Sequence, residues 1–392
     1  MSETRKSVAE FFAHTSVFIT GASGFLGKVL IEKLLHDCPD ITHIYILIRT
    51  KGSSLAQSRL SQILESQAFD RIRRIQPKLL EKVKVVRGDI TFDNLAISAS
   101  DLKTLVREVS VVIHSAATIR FDEPLKRATR INVTATRRVL ELALMLNHLK
   151  AFIHVSTAYC NQTKVNIREE VYAESLAPDK LIELTDDLND EMLESLTPHL
   201  FGDRPSSYHY TKAMAENMVR AYSGRLPIGI VRPSIITASL RDPFPGWIDN
   251  YNGPSGYLVT AGKGILRTML VDGHKICDAI PVDIVANTII VTAWHVATMA
   301  TVKNEIASRH HENNDPFVVN CVSGQINPIT WDEIRSLSLP WLLKYPTLEM
   351  FRYPGPIFVA NKALHKILVC LEHDLPTYLI DLMFRSLGHD PM

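Results

Sequence analysis

The sequence predicts an α/β protein. A Rossmann-type doubly wound parallel sheet is followed by a smaller, mostly helical, substrate-binding part at the C-terminal end. Two observations lead to this prediction. A short apolar run at residues 17–19 leads directly into glycines spaced G-x-x-G-x-x-G, and an amphipathic helix pattern follows them. Farther along, short apolar runs alternate with helical patterns, which is typical of a sheet assembled from βαβ units.

The glycine-rich stretch is typical of a dinucleotide-binding turn. Gly21 permits a tight turn, Gly24 lets the backbone approach a pyrophosphate, and Gly27 lets the next helix pack closely. The free N–H groups at the start of that helix favour phosphate binding. We therefore predict cofactor contacts from these glycines and from the residues between them, Ser23 and Phe25. An ordinary strand–helix turn is the alternative.

The composition is that of a soluble globular protein, because 46% of the 392 residues are hydrophobic and 22% are charged. A formal net charge of +1 argues against attraction to nucleic acid. The five scattered cysteines form no C-x-x-C pair, which favours reduced thiols facing the cytosol. The polar N-terminus shows no secretory-signal pattern. The apolar segment 284–302 is predicted to be a buried helix, with a membrane span as the alternative.

The second apolar run, 44–48, ends at Arg49, with Lys51 close behind. An NAD-binding fold usually has an acidic residue at this point, where it hydrogen-bonds the ribose 2′-hydroxyl. A basic residue suits a 2′-phosphate instead. Arg49 therefore predicts NADPH as the cofactor, and a solvated basic loop is the alternative.

Small or polar residues follow the third and fourth apolar runs. Asp89 and Ile90 follow the third run, and Asp89 is predicted either to meet the adenine amine or to cap a turn. Ala116 and Ala117 follow the fourth run, and their small side chains let the backbone lie close to the cofactor. Asn132 lies in the next helical pattern and needs a hydrogen-bond partner, either a backbone group or a water near the site.

Hydroxyl groups follow the fifth apolar run, 151–155, as Ser156 and Thr157. Ligands in an open α/β sheet lie outside the carboxyl ends of the strands, so these hydroxyls are candidates to touch the substrate. Capping of backbone groups is the alternative. The long connection 161–206 is expected to carry helix and to cover the substrate. The sixth run ends at Pro233, where we expect the nicotinamide ring.

Tyr208 and Lys212 lie four residues apart, so a helix places both on one face. A tyrosine ordinarily titrates near ~10 and is a poor acid–base group at neutral pH. A neighbouring ammonium is expected to stabilise the phenolate and to lower its pKa. A hydroxyl from Thr157 or Ser156 would complete a site that stabilises an oxyanion. Tyr210 is only two residues from Lys212 and is expected to point elsewhere.

Together these motifs resemble the extended short-chain dehydrogenase/reductase superfamily, and within it the alcohol-forming fatty acyl-CoA reductases. The resemblance runs from about residue 15 to about residue 300. The segments that carry it are 20–28, 46–49, 152–159, 208–216, 230–236, 262–267 and 280–287.

The resemblance implies a function. A long-chain acyl-CoA would be reduced by NADPH to a bound aldehyde and then to a fatty alcohol, for wax, ether-lipid or related lipid synthesis. Tyr208, Lys212 and Thr157 or Ser156 would be catalytic. No acyl-cysteine is needed, and Cys160 is expected to be a small buried residue. The alternatives are another NAD(P)-dependent enzyme of this fold, such as an epimerase, dehydratase or hydroxysteroid dehydrogenase, and a non-catalytic cofactor sensor.

The resemblance also implies a division of the chain and a location. Residues 1–290 would form the cofactor domain with the insertion 161–206, residues 291–350 a helical substrate-binding part, and residues 351–392 the start of a C-terminal helical domain. Family members usually continue beyond this point, so the chain is expected to be a truncated form, a fragment or a short isoform. They act at peroxisomal or endoplasmic-reticulum membranes, facing the cytosol, whereas this chain alone is compatible with a soluble protein.

Overall fold

The computed structural model describes residues 6–49, 54–306 and 315–386. The chain divides into two compact units. The first comprises Met1–Ile248 and Ile280–Val322, and the second comprises Asp249–Ala279 and Ser323–Met392.

Eleven strands are described, of which the first six follow the predicted apolar runs and the others lie outside them. They are β1 Ser16–Thr20, β2 His43–Ile48, β3 Val83–Arg87, β4 Val109–His114, β5 Ala151–Val155, β6 Ile228–Pro233, β7 Ile235–Thr237, β8 Thr268–Leu270, β9 Ala279–Pro281, β10 Phe317–Cys321 and β11 Ile357–Val359.

The helices fill the segments between the strands. They are α1 Val8–Phe12, α2 Phe25–Asp37, α3 Ser54–Glu65, α4 Asp70–Ile75, α5 Ala99–Glu108, α6 Leu125–Thr129, α7 Ala135–Met145, α8 Pro178–Asp187, α9 Asp190–Phe201, α10 Ser207–Tyr222, α11 Pro254–Gly262, α12 Val282–Ile306, α13 Trp331–Lys344, α14 Lys362–Val369 and α15 Leu375–Ser386. A π-helical turn, Arg130–Thr134, joins α6 to α7, and another, Cys370–Asp374, joins α14 to α15.

The described part of the first unit contains a seven-stranded parallel sheet in the order β10-β6-β5-β4-β1-β2-β3. This order confirms the predicted doubly wound Rossmann-type fold. The chain moves from β1 towards one edge and from β4 towards the other, so the direction of winding changes between β1 and β4. Ligands of such sheets bind beyond the carboxyl ends of the strands at this point.

Both faces of the sheet are buried, which explains why the strands are continuous apolar runs. Alternate residues of β1 enter different apolar clusters, because side chains along a strand point to opposite faces. Val17 and Ile19 belong to one cluster, and Phe18 belongs to the other.

The predicted helix at 284–302 is confirmed as part of α12. By length and composition, Val282–Ala300 could also cross a membrane, but 56% of this segment is buried. The helix packs against α2, β5 and β6. Its buried residues, among them Val285 and Ile289, belong to the core on one face of the sheet. The long apolar segment is therefore a core helix of the first unit.

The two units differ from the predicted division at residues 290 and 350. All of α12 belongs to the first unit because it packs on the sheet, and β10 pairs with β6 and extends the sheet. Residues 249–279 belong to the second unit, where α11 contacts α13. The second unit also contains the parallel pair β8 and β11.

Candidate active site

The glycine-rich turn between β1 and α2 has the geometry of a phosphate cradle. Gly21 has a φ of +78°, in the left-handed region that side chains disfavour. A Cβ at Gly27 would lie 2.4 Å from the Gly21 carbonyl oxygen. A Cβ at Gly24 would meet only that oxygen, at 3.3 Å, so the turn is open at Gly24. No side chain caps the start of α2 at Gly24, so its first N–H groups suit a pyrophosphate.

Arg49 lies at the carboxyl end of β2, and its side chain is exposed. Its carbonyl oxygen accepts a hydrogen bond from Nη1 of Arg59 at 2.6 Å. Two guanidinium-bearing residues therefore meet at the strand end where the sequence predicts a 2′-phosphate. Arg59 could not be found from the sequence, because nothing in the pattern of α3 indicates which of its residues reaches β2. Lys51 lies outside the described residues.

Asp89, which follows β3, caps a turn. Its Oδ1 accepts hydrogen bonds from the backbone N and the Oγ1 of Thr91, at 2.9 and 2.8 Å. The turn interpretation is therefore correct, while the contact with adenine remains a prediction. Ile90 is 9% exposed, and it lies beside this turn.

The exits of β4 and β6 bring the other predicted cofactor residues to the same edge of the sheet. Ala116 and Ala117 are partly exposed, and the Ala116 N–H donates to Oγ1 of Thr20 at 3.3 Å. A Cβ at Gly21 would lie 2.7 Å from the Ala116 nitrogen, so the β1 and β4 exits touch. Pro233 ends β6, and its carbonyl accepts a hydrogen bond from the Ala158 N–H at 3.0 Å.

The structure brings Tyr208, Lys212 and Thr157 together. Tyr208 and Lys212 lie on α10, as predicted, and the Thr157 hydroxyl lies near enough to Tyr208 to act on the pKa of its phenol. Lys212 is 3% exposed, and its Nζ donates to the Val155 carbonyl oxygen at 2.7 Å. Helix α10 is thereby joined to the end of β5.

Ser156 is not part of this group. Its hydroxyl is buried, forms no hydrogen bond among the described residues, and lies near enough to Cys160 to lower the pKa of that thiol. Burial has the larger effect and raises the pKa of Cys160 well above its usual value. Cys160 is 1% exposed, which agrees with the expectation of a small buried residue. Of the two candidate hydroxyls, Thr157 is the one that reaches Tyr208.

The expectation that Lys212 lowers the pKa of Tyr208 is wrong. Burial raises the pKa of Tyr208 to about 12, although the nearby Thr157 hydroxyl opposes this. Burial also lowers the pKa of Lys212 to about 8. Lys212 therefore loses its proton at a lower pH than Tyr208 does, so it does not lower the pKa of the phenol, although it is still charged at neutral pH. At neutral pH Tyr208 carries its proton and can donate it.

A buried ion pair joins α10 to β6 beside this site, and the sequence patterns did not predict it. Arg232 on β6 donates to both carboxylate oxygens of Glu216 on α10, at 2.8 and 2.6 Å. The Arg232 guanidinium also donates to the carbonyl oxygens of Arg168 and Glu170. The pair therefore fixes the chain after β5 against α10. The available signals were a charged residue ending an apolar run and a glutamate four residues after Lys212.

Asn132 uses its side chain to bind backbone, which confirms one of the two predicted alternatives. Its Oδ1 accepts from the Thr118 N–H at 2.9 Å, and its Nδ2 donates to the Thr118 carbonyl at 3.3 Å. Nδ2 also donates to Oγ1 of Thr211 on α10 at 2.9 Å. Asn132 thus joins the loop after β4 to the helix that carries Tyr208.

We expect kcat/KM to fall as the pH rises through about 8, the pKa of Lys212. Deprotonation removes the ammonium that would stabilise negative charge on Tyr208 after it gives up its proton. Ionisations of the free enzyme appear in kcat/KM, so this profile is measured across about pH 6 to 10. The two buried histidines near Lys212 do not interfere, because burial lowers the pKa of His114 to about 3 and that of His154 well below its usual value.

Lys212→Arg keeps a charge at this position and should move the alkaline decline to higher pH. An unchanged profile in this variant would assign the decline to another group.

The stability of the fold should change in the opposite direction to kcat/KM. Burial lowers the pKa of Lys212 in the folded state. Between a pH of about 8 and the ordinary pKa of lysine, the unfolded chain therefore binds more protons than the folded chain does. The free energy of unfolding rises with pH across that interval.

The fold and this site define a class of protein, the Rossmann-type oxidoreductases. The solved structures similar to this chain include the terminal R domain from the myxalamid PKS-NRPS biosynthetic pathway, with a TM-score of 0.60 and 22% identity over 88% of this chain and 72% of that one. The enzyme WbmF of Bordetella bronchiseptica, solved in complex with NAD+, has a TM-score of 0.51 and 16% identity, over 87% of this chain and 82% of that one. These likenesses confirm the fold.

Sequence comparison identifies the family. The family model described as "Male sterility protein", an NAD-binding family, matches residues 19–289. Fatty acyl-CoA reductase 1 of Mus musculus is 39% identical over 385 residues, which cover 98% of this chain and 72% of the relative. Fatty acyl-CoA reductase 2 of Bos taurus is 38% identical over 384 residues, with the same coverage. The chain belongs to the fatty acyl-CoA reductase family. It is an oxidoreductase, and its cofactor is a nicotinamide dinucleotide.

Proposed function

We propose that the protein uses NADPH to reduce a long-chain fatty acyl-CoA to a fatty alcohol by way of a bound aldehyde, in wax, ether-lipid or related lipid synthesis. The observation that carries the proposal is the group formed by Tyr208, Thr157 and Lys212 at the carboxyl edge of the sheet. The similarity to fatty acyl-CoA reductases supports the choice of substrate.

The cofactor, when bound, supplies a hydride to the carbonyl carbon. Tyr208 donates a hydrogen bond to the carbonyl oxygen and then its proton. With a pKa of about 12 the phenol is protonated at neutral pH, and it can give up that proton because the alkoxide left by hydride addition is a stronger base than the phenolate. Thr157, which lies beside Tyr208, is a second hydroxyl for the developing oxyanion. Lys212 is anchored on Val155 and holds positive charge near Tyr208 at neutral pH.

The reaction needs two reductions in sequence. In the first, hydride and proton convert the thioester to a thiohemiacetal, whose C–S bond breaks to release CoA as its thiol and leave the aldehyde. In the second, another hydride and another proton convert the aldehyde to the primary alcohol. The same three side chains serve both steps, because each step develops negative charge on the same oxygen.

The test is an assay of NADPH oxidation with hexadecanoyl-CoA, followed by extraction and identification of the products. Hexadecanol together with free CoA would support the proposal, whereas accumulated hexadecanal would restrict it to the first reduction. Binding of NADPH without turnover of any acyl-CoA would contradict it and favour a cofactor sensor. Turnover of a sugar nucleotide or a steroid would assign the site to another reaction of this fold.

NADPH is proposed over NADH because of Arg49 and Arg59. A guanidinium suits a phosphate through charge-assisted hydrogen bonds. Arg59 donates to the Arg49 carbonyl, so both residues lie at the end of β2. In the glycine turn, the open space at Gly24 and the uncapped start of α2 fit the pyrophosphate that both cofactors share.

Arg49→Gln should lower the preference for NADPH over NADH by about tenfold, because a hydrogen bond to a charged group is lost. The measurement is kcat/KM for each cofactor at a saturating concentration of acyl-CoA. Arg74→Gln removes another exposed cation, on α4, and should leave the ratio unchanged. An equal loss with both cofactors in Arg49→Gln would contradict a role in reading the 2′-phosphate.

We also propose that the protein works at the cytosolic surface of peroxisomal or endoplasmic-reticulum membranes. The family resemblance supports this location. So do the exposed apolar residues along α14 and α15, such as Ile367 and Leu379. Fractionation of cells that express the tagged protein tests the proposal. Recovery in the soluble fraction alone would contradict it.

A further inference from the structure

The loop 115–124, which follows β4, carries exposed apolar side chains beside the proposed proton donor. Phe121 is 63% exposed and Ile119 is 54% exposed. The centroid of the Phe121 ring lies 5.6 Å from that of Tyr208 and 5.2 Å from that of His209. An exposed phenyl ring beside the ring of the proposed proton donor is a candidate ligand contact, because binding sites combine apolar walls with a few polar groups.

This loop is fixed rather than free. Asn132 binds the backbone N–H and carbonyl of Thr118 at the start of the segment. At its end, the Glu123 carbonyl accepts a hydrogen bond from the Ser207 hydroxyl at 2.6 Å. The buried Glu123 carboxylate also accepts one from the Thr118 hydroxyl at 3.1 Å. Because Ser207 begins α10, the helix that carries Tyr208, these hydrogen bonds hold Phe121 in a set position relative to that helix.

The ring is suited to an apolar ligand. Arg120 donates to Asp122 through Nε at 3.2 Å and through Nη2 at 2.9 Å, so the two charges beside Phe121 compensate each other. The aromatic rings of Tyr208 and His209 also lie beside the ring. The Nδ1 of His209 is already hydrogen-bonded to Ser206 at 2.7 Å. The surface at Phe121 therefore favours hydrocarbon over phosphate or amide groups.

We propose that Phe121 is a substrate-binding residue that packs against the acyl chain of the thioester, on the carbons closest to the carbonyl. The inference rests on the proposed function. A carbonyl oxygen that accepts a hydrogen bond from Tyr208 lies about 3 Å from the phenol oxygen. The first methylene group is bonded to that carbonyl carbon and the next ones follow it along the chain, so they lie within reach of a ring that contacts Tyr208.

The test measures binding, so it does not depend on turnover. The ligands are S-hexadecyl-CoA, a thioether that cannot be reduced, and S-methyl-CoA, which lacks the chain. Phe121→Ala should weaken the Kd for S-hexadecyl-CoA by about tenfold, as expected when roughly two methylene groups lose apolar contact. The Kd for S-methyl-CoA should not change. Phe121→Leu, which keeps an apolar side chain, should recover most of the affinity and guards against misfolding of the alanine variant.

The matched control is Ile75→Ala, which truncates an apolar side chain of similar exposure, 64%, at the end of α4. It should bind both ligands like the wild type. Equal affinity of wild type and Phe121→Ala for S-hexadecyl-CoA would overturn the inference. So would an equal loss for both ligands, which would assign Phe121 to the CoA portion. Wild-type protein that binds S-hexadecyl-CoA no better than S-methyl-CoA would overturn it as well.

The inference and the proposed function can fail separately. Chain-dependent binding that requires Phe121, without reduction of hexadecanoyl-CoA, would reject the function and keep the contact. Reduction of hexadecanoyl-CoA with no effect of Phe121→Ala on binding would keep the function and reject the contact.

Discussion

Tyr208→Phe should lower kcat with hexadecanoyl-CoA by about 10³-fold, the middle of the range for removal of a positioned general acid. The variant keeps the ring and its contacts with Phe121 but loses the proton that the carbonyl oxygen needs. The Kd for NADPH should not change, because no predicted cofactor contact involves this hydroxyl. Stopped-flow measurement of hydride transfer, together with a cofactor titration, checks both expectations.

Tyr210→Phe is the matched control. Tyr210 lies on the same helix and is 2% exposed, and its ring packs against Phe201 at a centroid distance of 5.5 Å. Removing its hydroxyl should leave kcat close to the wild-type value. A Tyr208→Phe variant that retained wild-type turnover would remove Tyr208 from the mechanism. An equal loss in both variants would indicate a general effect on α10.

Gly27→Ala should abolish tight cofactor binding and destabilise the fold. The added Cβ would lie 2.4 Å from the Gly21 carbonyl oxygen and 2.6 Å from the Ala22 Cα, and both are backbone atoms that cannot rotate away. Helix α2 would have to move from β1, and overpacking of this kind costs about 2 kcal/mol of the free energy of unfolding. Denaturant titration and a fluorescence titration with NADPH measure the two effects.

Gly24→Ala separates cofactor binding from stability. A Cβ at Gly24 would meet only the Gly21 carbonyl oxygen, at 3.3 Å, and the backbone there has an ordinary φ of −80°. The fold should keep nearly all of its stability, while the methyl group occupies the side of the turn that faces a pyrophosphate.

If Gly27→Ala were as stable as the wild type and bound NADPH equally well, close packing of α2 on the turn would not be required.

The sequence by itself determined six of the seven strands of the large sheet, the glycine turn and the helix face shared by Tyr208 and Lys212. The strands of the large sheet are short apolar runs, because a parallel sheet covered on both faces needs apolar residues on both sides. The glycine spacing predicted the turn at Gly21, because backbone geometry at such a turn admits almost no other residue. The spacing of Tyr208 and Lys212 predicted a shared helix face, since the helical period is fixed. Each of these features depends on neighbours within one or two elements.

Only the tertiary structure decided which groups meet and how they ionise. Thr157 reaches Tyr208 whereas Ser156 lies by Cys160, although the two are adjacent in sequence. The pKa of Tyr208 is raised rather than lowered, because burial outweighs the effect of the residues around it. The contact between Arg59 and the end of β2 was also decided only by the tertiary structure.

The buried pair of Glu216 and Arg232, the position of Phe121 and the assignment of α12 to the first unit were likewise decided by the fold. All of these features have the same physical reason. A local pattern fixes the direction of a side chain within its own element. Desolvation, ion pairing and contact with a ligand depend on atoms brought from distant parts of the chain, and these are fixed only when the elements pack.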